Sequence, residues 1–468
     1  MSMVKQLDIR ELLAQGAVRA REEDCEVLVS QVIPVKPMDP LAFFAYGAEP
    51  YAGERSFWAD PNRDRILAGL GTAYRVEAEA EDRFAGVEAR WRDLLRKSIR
   101  EPHTHRNGTG PLLMGGFSFD PLKPKSGRWE EYADASMVLP RFLLTVAGED
   151  CWLTVNAVIR PAEDPVSLAD RLEREKQDLL SGVPATFTPM ESPSFETVEV
   201  DPEAWKRSVA ETAREIREGV MEKVVLARQL RVEASGRLAP ASILKRLQEQ
   251  QTDCFLFAVE RGASCFLGAS PERLVRRNGK RFLSTCLAGS IRRGSSPEED
   301  ERLGQELLSD GKNRVEHEVV VHMIREAFRT GCDAVEVPEE PVLYKAGYIQ
   351  HLYTPVTGRA RPGTTLLSMV KRLHPTPALG GYPQEKSVEK IREKERMDRG
   401  WYAGPVGWVD WRGDGEFAVA IRSALVKGDQ AFLFAGCGIV GDSDPDSEYE
   451  EARIKFRPIL SAMGGRDR

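Results

Sequence analysis

The chain is predicted to be an α+β protein with extensive antiparallel sheet. Three observations carry that expectation. Short strand-like runs follow one another with only a tight turn between them, as at Gly404 to Asp410 and Glu416 to Val426 around Arg412-Gly-Asp-Gly415. Long amphipathic stretches are interspersed among them, from about Glu79 to Ile99 and from about Glu299 to Thr330. The regular alternation of strand and helix that would build a parallel βαβ array is missing, and no internal repeat stands out.

Taken in order, strands are expected at Glu26 to Val35, Phe142 to Val146 and Cys151 to Val158, with a glycine-rich strand or bend at Gly115 to Asp120. Between Leu179 and Pro202 the chain is rich in Pro, Ser and Thr and poor in apolar periodicity, which reads as a linker. It divides an N-terminal α+β region, residues 1–195, from a denser segment, residues 203–465. In that segment Asp201-Pro202 supplies an N-cap and first-turn proline for a helix to about Glu218. A strand follows from Lys223 to Val232, a helix from Ala241 to Gln250, and strands at Cys254 to Glu260, Cys265 to Gly268 and Arg281 to Cys286. The long helix after Glu299 should break near Gly311, and Gln430 to Ala435 is a last strand.

At 468 residues the chain can bury a large core. Its 41% hydrophobic and 30% charged residues are those of a globular protein. A net charge of −7, with both signs mixed throughout, offers no electrostatic footprint for nucleic acid or an anionic membrane. No apolar run approaches the roughly 18 residues that span a bilayer, and the opening residues lack the pattern of a secretory signal. Seven scattered cysteines without CxxC spacing read as reduced cytosolic thiols, so a cytoplasmic setting is expected.

The segment from Ala435 to Lys455 is the richest in chemistry. An apolar strand runs into Gly436-Cys-Gly438, read as a glycine turn, and then into a helix carrying Glu448, Glu451 and Lys455. At 100° per residue these three share about a quarter of the helix circumference. Two carboxylates on one face suit Mg²⁺, and bare N–H groups in a turn suit an anion; a solvated helix with an ordinary Glu–Lys pair is the alternative. Lys223 opens an apolar strand, where lost hydration disfavours the charged ammonium and suits it to general-base work; an edge lysine reaching water is the other reading. Glu272, after a strand and a proline, is a general acid if buried, or a helix-start glutamate. Glu316 could ligate a cation together with Glu451, with His317 beside it as a packing or supporting residue. His374, in a proline-rich loop, either hydrogen-bonds substrate or sits idle at the surface. Arg422 lies in an apolar strand and needs an anionic partner, a substrate carboxylate or an internal one.

The order of motifs is more telling than any one of them. Lys223-Val-Val-Leu-Ala-Arg, Ser270-Pro-Glu-Arg-Leu, Leu287-Ala-Gly-Ser-Ile-Arg-Arg-Gly, Lys312-Asn-Arg-Val-Glu-His and His374-Pro-Thr-Pro-Ala-Leu-Gly-Gly come first. Tyr402-Ala-Gly-Pro-Val-Gly-Trp, Val419-Ala-Ile-Arg-Ser-Ala and Gly436-Cys-Gly-Ile-Val follow. Over about residues 203 to 465 this resembles the chorismate-utilising enzymes, which implies a large α/β sandwich with antiparallel sheets flanked by helices, residues 203–465 being its chorismate-binding catalytic domain and residues 1–195 packing into the same sandwich. The resemblance implies Mg²⁺ as cofactor and chorismate as substrate. Lysine at position 223 matches the water-using members and implies an isochorismate synthase, most like those of menaquinone biosynthesis, with no glutaminase subunit. A salicylate synthase or a siderophore-pathway isochorismate synthase is the alternative. It further implies Lys223 as base and Glu272 as acid, with Glu316 and Glu451 as metal ligands and Glu448 close by or bonded through water. Arg422, Tyr402, Lys455 and the backbone at Gly289 and Gly438 would hold the substrate carboxylates, Ser290 would be a further substrate-binding residue, and His374 would line the ring pocket. Two departures touch none of these roles: Tyr449 stands where tryptophan is common, and Cys437 where alanine is frequent.

Overall fold

Runs of β-branched and aromatic residues, cut by Gly, Pro and Asx residues, set out the strands, and apolar side chains at helical spacing set out the helices that cover them. The computed structural model describes residues 8–100, 108–346 and 349–465; residues 1–7, which carry most of the opening read for a secretory signal, lie outside the described residues. The first part runs α1 (Ile9–Glu22), β1 (Val27–Pro34), α2 (Pro40–Tyr46), β2 (Arg55–Ala59), β3 (Ile66–Ala78), α3 (Arg83–Arg96), β4 (Ile99–Arg100) and β5 (Leu112–Phe117). It continues with β6 (Ala135–Ala147), β7 (Asp150–Ile159), α4 (Pro165–Gly182) and β8 (Phe195–Glu199). The second part opens with α5 (Pro202–Arg217), β9 (Lys223–Ala234), α6 (Pro240–Gln250), β10 (Phe255–Arg261), β11 (Ser264–Ser270), β12 (Arg273–Asn278) and β13 (Arg281–Arg292). Then come α7 (Pro297–Ser309), α8 (Gly311–Gly331), β14 (Cys332–Glu336), β15 (Val342–Ala346), β16 (Ile349–Ala360) and α9 (Leu366–Leu373). The chain ends through β17 (Gly381–Tyr382), α10 (Gln384–Lys394), β18 (Pro405–Asp410), β19 (Gly415–Val419), β20 (Ser423–Lys427), β21 (Gln430–Ile439) and α11 (Pro445–Ala462).

These strands form a mostly antiparallel ladder that forks at β6. Its C-terminal half pairs with β7, and its N-terminal half with β5. One arm runs β6–β3–β2–β10–β11–β20–β21–β9–β8. The other runs β6–β5–β18–β19–β12–β13–β16. The β2–β10 and β5–β18 pairings therefore stitch residues before the expected linker to residues after it. Large aromatics fill the space between, among them Trp129 against Phe266 and Phe434, and Phe117 against Phe417.

Several local expectations change. The linker contains β8, which pairs along β9, because Phe195-Glu-Thr-Val alternates well enough to add a strand. Asp201 precedes α5 in a left-handed conformation and makes no side-chain cap. Gly436 and Gly438 are not in a turn: they continue β21 opposite Ala227 and Val225 of β9. The expected strand from Glu416 to Val426 is cut in two, with Ala420 to Arg422 between β19 and β20. The helix break near Gly311 is present, because Asp310 ends α7 and accepts from the Asn313 N–H as N-cap of α8.

Candidate active site

β9 and β21 lie side by side, and α11 returns across them. Lys223 begins β9, and the glycine opposite makes room for it: a Cβ on Gly438 would stand 2.7 Å from Lys223 Cε. Val224, Val225, Leu226 and Ala227 are all buried, so both faces of β9 are dry and only its first residue reaches the site. Lys223 Nζ meets Glu316 Oε1 of α8 at 2.5 Å.

Glu272 sits in the bend between β11 and β12; no helix follows it, which removes the helix-start reading. Its carboxyl is buried, and that burial pushes it up to about 7 against the pull of the Thr376 hydroxyl and of the Arg422 and Lys223 cations. Thr376 Oγ1 lies 3.5 Å from Glu272 Oε1. The group thus keeps its proton into the neutral range while facing two cations.

Arg422 owes its position to the strand break. With φ at +50°, it occupies a left-handed conformation that costs a non-glycine residue on the order of 1 kcal/mol. Its guanidinium makes no ion pair among the described residues, so among them the internal salt bridge that sequence allowed is not made. Instead its charge acts on Glu272, Glu451, His351 and Tyr402 together. A partly buried cation among these groups is a place for an anion.

On α11 the expected face is formed. Lys455 Nζ bridges Glu451 Oε1 at 2.6 Å and the Gly436 carbonyl at 2.8 Å. Partial burial pushes the Glu451 carboxyl up, but Lys455, the Cys437 thiol and Arg422 outweigh it and hold it below the ordinary range. Glu448 is different: burial raises it, Ser443 donates to Oε1 at 2.7 Å, and Oε2 is buried with no hydrogen-bond partner. Ligand atoms of Glu448, Glu451 and Cys437 all lie within 4.8 Å of one another. The Cys437 thiol, pushed up to about 12 by burial, donates to the Glu448 carbonyl and stays neutral. Two carboxylates with an orphaned buried oxygen suit a hard divalent cation. Glu316 is outside this cluster, held by Lys223, so the pair that the structure gathers is Glu448 with Glu451.

Other expected residues separate. Gly289, at φ +75° in a bulge of β13, packs against Asn313 of α8, whose side-chain oxygen accepts from the Ser290 N–H at 3.3 Å. Tyr402 is buried, stacks on Phe434 and has its hydroxyl raised by burial against the pull of Arg399 and Arg422. His374 is neither idle at the surface nor turned to the cluster. Its Nε2 bonds the Phe119 carbonyl at 3.0 Å, it packs against Phe84 and Phe119, and burial lowers it to about 3. The same loop reaches Glu272 through Thr376, so the imidazole belongs to the scaffold. The histidine brought near Arg422 and Lys455 is His351 of β16, which sequence reasoning missed. Its Nδ1 is 2.8 Å from Ser290 Oγ, and burial, with Arg422 and Lys455, lowers it to about 4. No spacing pattern marks it; only the pairing of β16 with β13 sets it opposite Ser290.

Comparison with known proteins meets this geometry. A family model described as chorismate binding enzyme matches residues 13–464. Isochorismate synthase MenF of Bacillus subtilis is 41% identical over 455 residues, 96% of each chain. The salicylate biosynthesis isochorismate synthase of Pseudomonas aeruginosa is 37% identical over 96% of this chain and 93% of its own. In fold, the chain resembles the menaquinone-specific isochorismate synthase MenF of Escherichia coli with a TM-score of 0.78, at 23% identity over 93% of this chain and 94% of that one. The chain belongs to the chorismate binding enzyme family.

Proposed function

We propose that the protein is an isochorismate synthase that converts chorismate to isochorismate, in the service of menaquinone biosynthesis. The observation that carries the reading is the buried carboxyl of Glu272, pushed up to about 7 by burial, set within the fields of both Lys223 and Arg422. Full-length similarity to isochorismate synthases supports it.

In this reading Arg422, Lys455 and the backbone near Gly289 and Gly438 take the two carboxylates of chorismate. Released from Glu316 and with its own proton already given to solvent, Lys223 removes a proton from a water as the water oxygen bonds to C2. The ring double bonds shift, the C4–O bond breaks, and Glu272 gives its proton to the departing hydroxyl, which leaves as water. One water enters and one leaves, so substrate and product are isomers, and solvent resets both side chains. His351 and Ser290 add neutral hydrogen-bonding groups beside Arg422. Glu448 and Glu451 would hold Mg²⁺, with Glu316 joining them once it leaves Lys223. The ion would supply positive charge to the ring carboxylate and help draw electron density as the double bonds move. Water, not ammonia, is the nucleophile, so no glutaminase partner enters the reading. A cytosolic setting goes with it.

The test is product identification with chorismate and Mg²⁺. Isochorismate should form without pyruvate, and a Lys223→Ala variant should stay folded but lose turnover by about 10²-fold or more, as expected for a lost general base. Release of pyruvate and salicylate would move the assignment to salicylate synthase. Undiminished turnover by Lys223→Ala would place water activation elsewhere.

A further inference from the structure

On the same first turns of α11 as the two carboxylates, Tyr449 gathers a set of groups that the reaction does not use. Tyr449 stands between Glu448 and Glu451 in sequence, and its ring is held from two directions. The Arg228 guanidinium, almost wholly buried, stacks 3.7 Å from the ring centroid. The Lys206 ammonium lies 4.9 Å from the same centroid and pairs with Asp446 of α11 at 2.6 Å. Arg228 NH2 also donates to the Tyr449 hydroxyl at 2.7 Å and pairs with Glu199 of β8. Trp205 of α5 meets the ring edge-on at 6.0 Å.

Arg228 is on β9, the strand that begins with Lys223, five residues away. A strand buried on both faces is a rigid ruler, rising about 3.3 Å per residue. Fixing Tyr449 to Arg228 therefore fixes the helix with the metal carboxylates relative to the base. The exposed Lys206–Asp446 pair contributes little. A desolvated guanidinium stacked on an aromatic ring and bonded to its hydroxyl contributes considerably more.

We propose that Arg228 and Tyr449 form a clamp that positions Glu448 and Glu451 for divalent-cation binding, making both positioning residues and not catalytic ones. The inference rests on the Mg²⁺ reading given above. Partners one layer behind metal ligands typically change affinity by about 10–100-fold when removed.

Calorimetric titration of the full chain with Mg²⁺, without chorismate and well below the melting temperature, tests this. Tyr449→Ala, which removes stack and hydroxyl, should raise the Mg²⁺ dissociation constant about tenfold or more. Tyr449→Phe keeps the stack and the fold but loses the hydroxyl bond, and should give a smaller rise in the same direction. A residue serving stability alone would lower the melting temperature and leave the affinity of the folded protein untouched. Either folded variant binding Mg²⁺ as tightly as the parent overturns the clamp. A parent that does not bind Mg²⁺ overturns both the clamp and the metal reading. A parent that binds Mg²⁺ but leaves chorismate unchanged overturns the activity alone and leaves the clamp standing.

Discussion

A carboxylic acid can protonate a departing hydroxyl only if it still holds its proton at working pH. Glu272 meets that condition through burial, which lifts it from the ordinary 4.5 to about 7. The sign of the pH dependence follows. The protonated form dominates below about 7, so the rate should fall as pH rises through that value, a limb visible in a pH profile of kcat/KM. Glu272→Gln keeps the size and hydrogen bonding of the neutral acid but has no proton to give, and turnover should drop by about 10²-fold or more. Linkage gives the same substitution a second signature. A raised carboxyl favours the fold fully below its unfolded value, and that contribution is lost as pH rises through about 7. Gln carries no such dependence, so at alkaline pH the variant should melt no lower than the parent. A variant with parental turnover would make Glu272 a structural residue only.

At the scale of elements, what could be read from sequence was what local pattern dictates. The face of α11 with Glu448, Glu451 and Lys455 follows from helical spacing alone, and the break at Gly311 from a helix stop signal. What could not be read depended on partners far along the chain. Gly436 and Gly438 look like a turn because glycine weakens a strand, yet β9 pairs with them throughout and Lys223 needs the space above Gly438. Arg422 looks like a strand residue because its neighbours are apolar, yet the chain passes from β19 to β20 at that point and turns it inward. His351 and His374 exchange importance for the same reason, since long-range pairing alone sets one beside Arg422 and the other behind Phe119. For α11 the consequence is specific. Glu451 is the carboxylate shared between Lys455 and the candidate cation site, so Glu451→Gln should weaken Mg²⁺ binding by about tenfold or more while leaving the helix formed. Mg²⁺ titration checks it, and an unchanged dissociation constant would remove Glu451 from the ligand set.

At the scale of the whole molecule, the two parts separated by the proline-rich stretch cannot be treated as independent units. β10 pairs on one side with β11 and on the other with β2, and β18 is flanked by β19 and β5. Removing residues 1–202 would strip β9, β10 and β18 of one neighbour each and leave their outward N–H and C=O groups unpaired. It would also uncover Phe255, Phe257 and Trp408, which the full chain buries almost completely. A fragment spanning 203–468 carries the residues assigned to base, acid and metal cluster, so a view of the chain as catalytic half plus appendage predicts some turnover from it. The sheet topology predicts otherwise: the fragment should aggregate or fold loosely and show no turnover of chorismate. The full chain should unfold in one cooperative transition, with circular dichroism and tryptophan fluorescence melting together. Trp58 and Trp129 lie in the first part and Trp205, Trp401 and Trp408 in the second, so fluorescence reports on both. Two resolved transitions, or a soluble and active fragment, would show that the pairings β2–β10 and β5–β18 do not couple the halves.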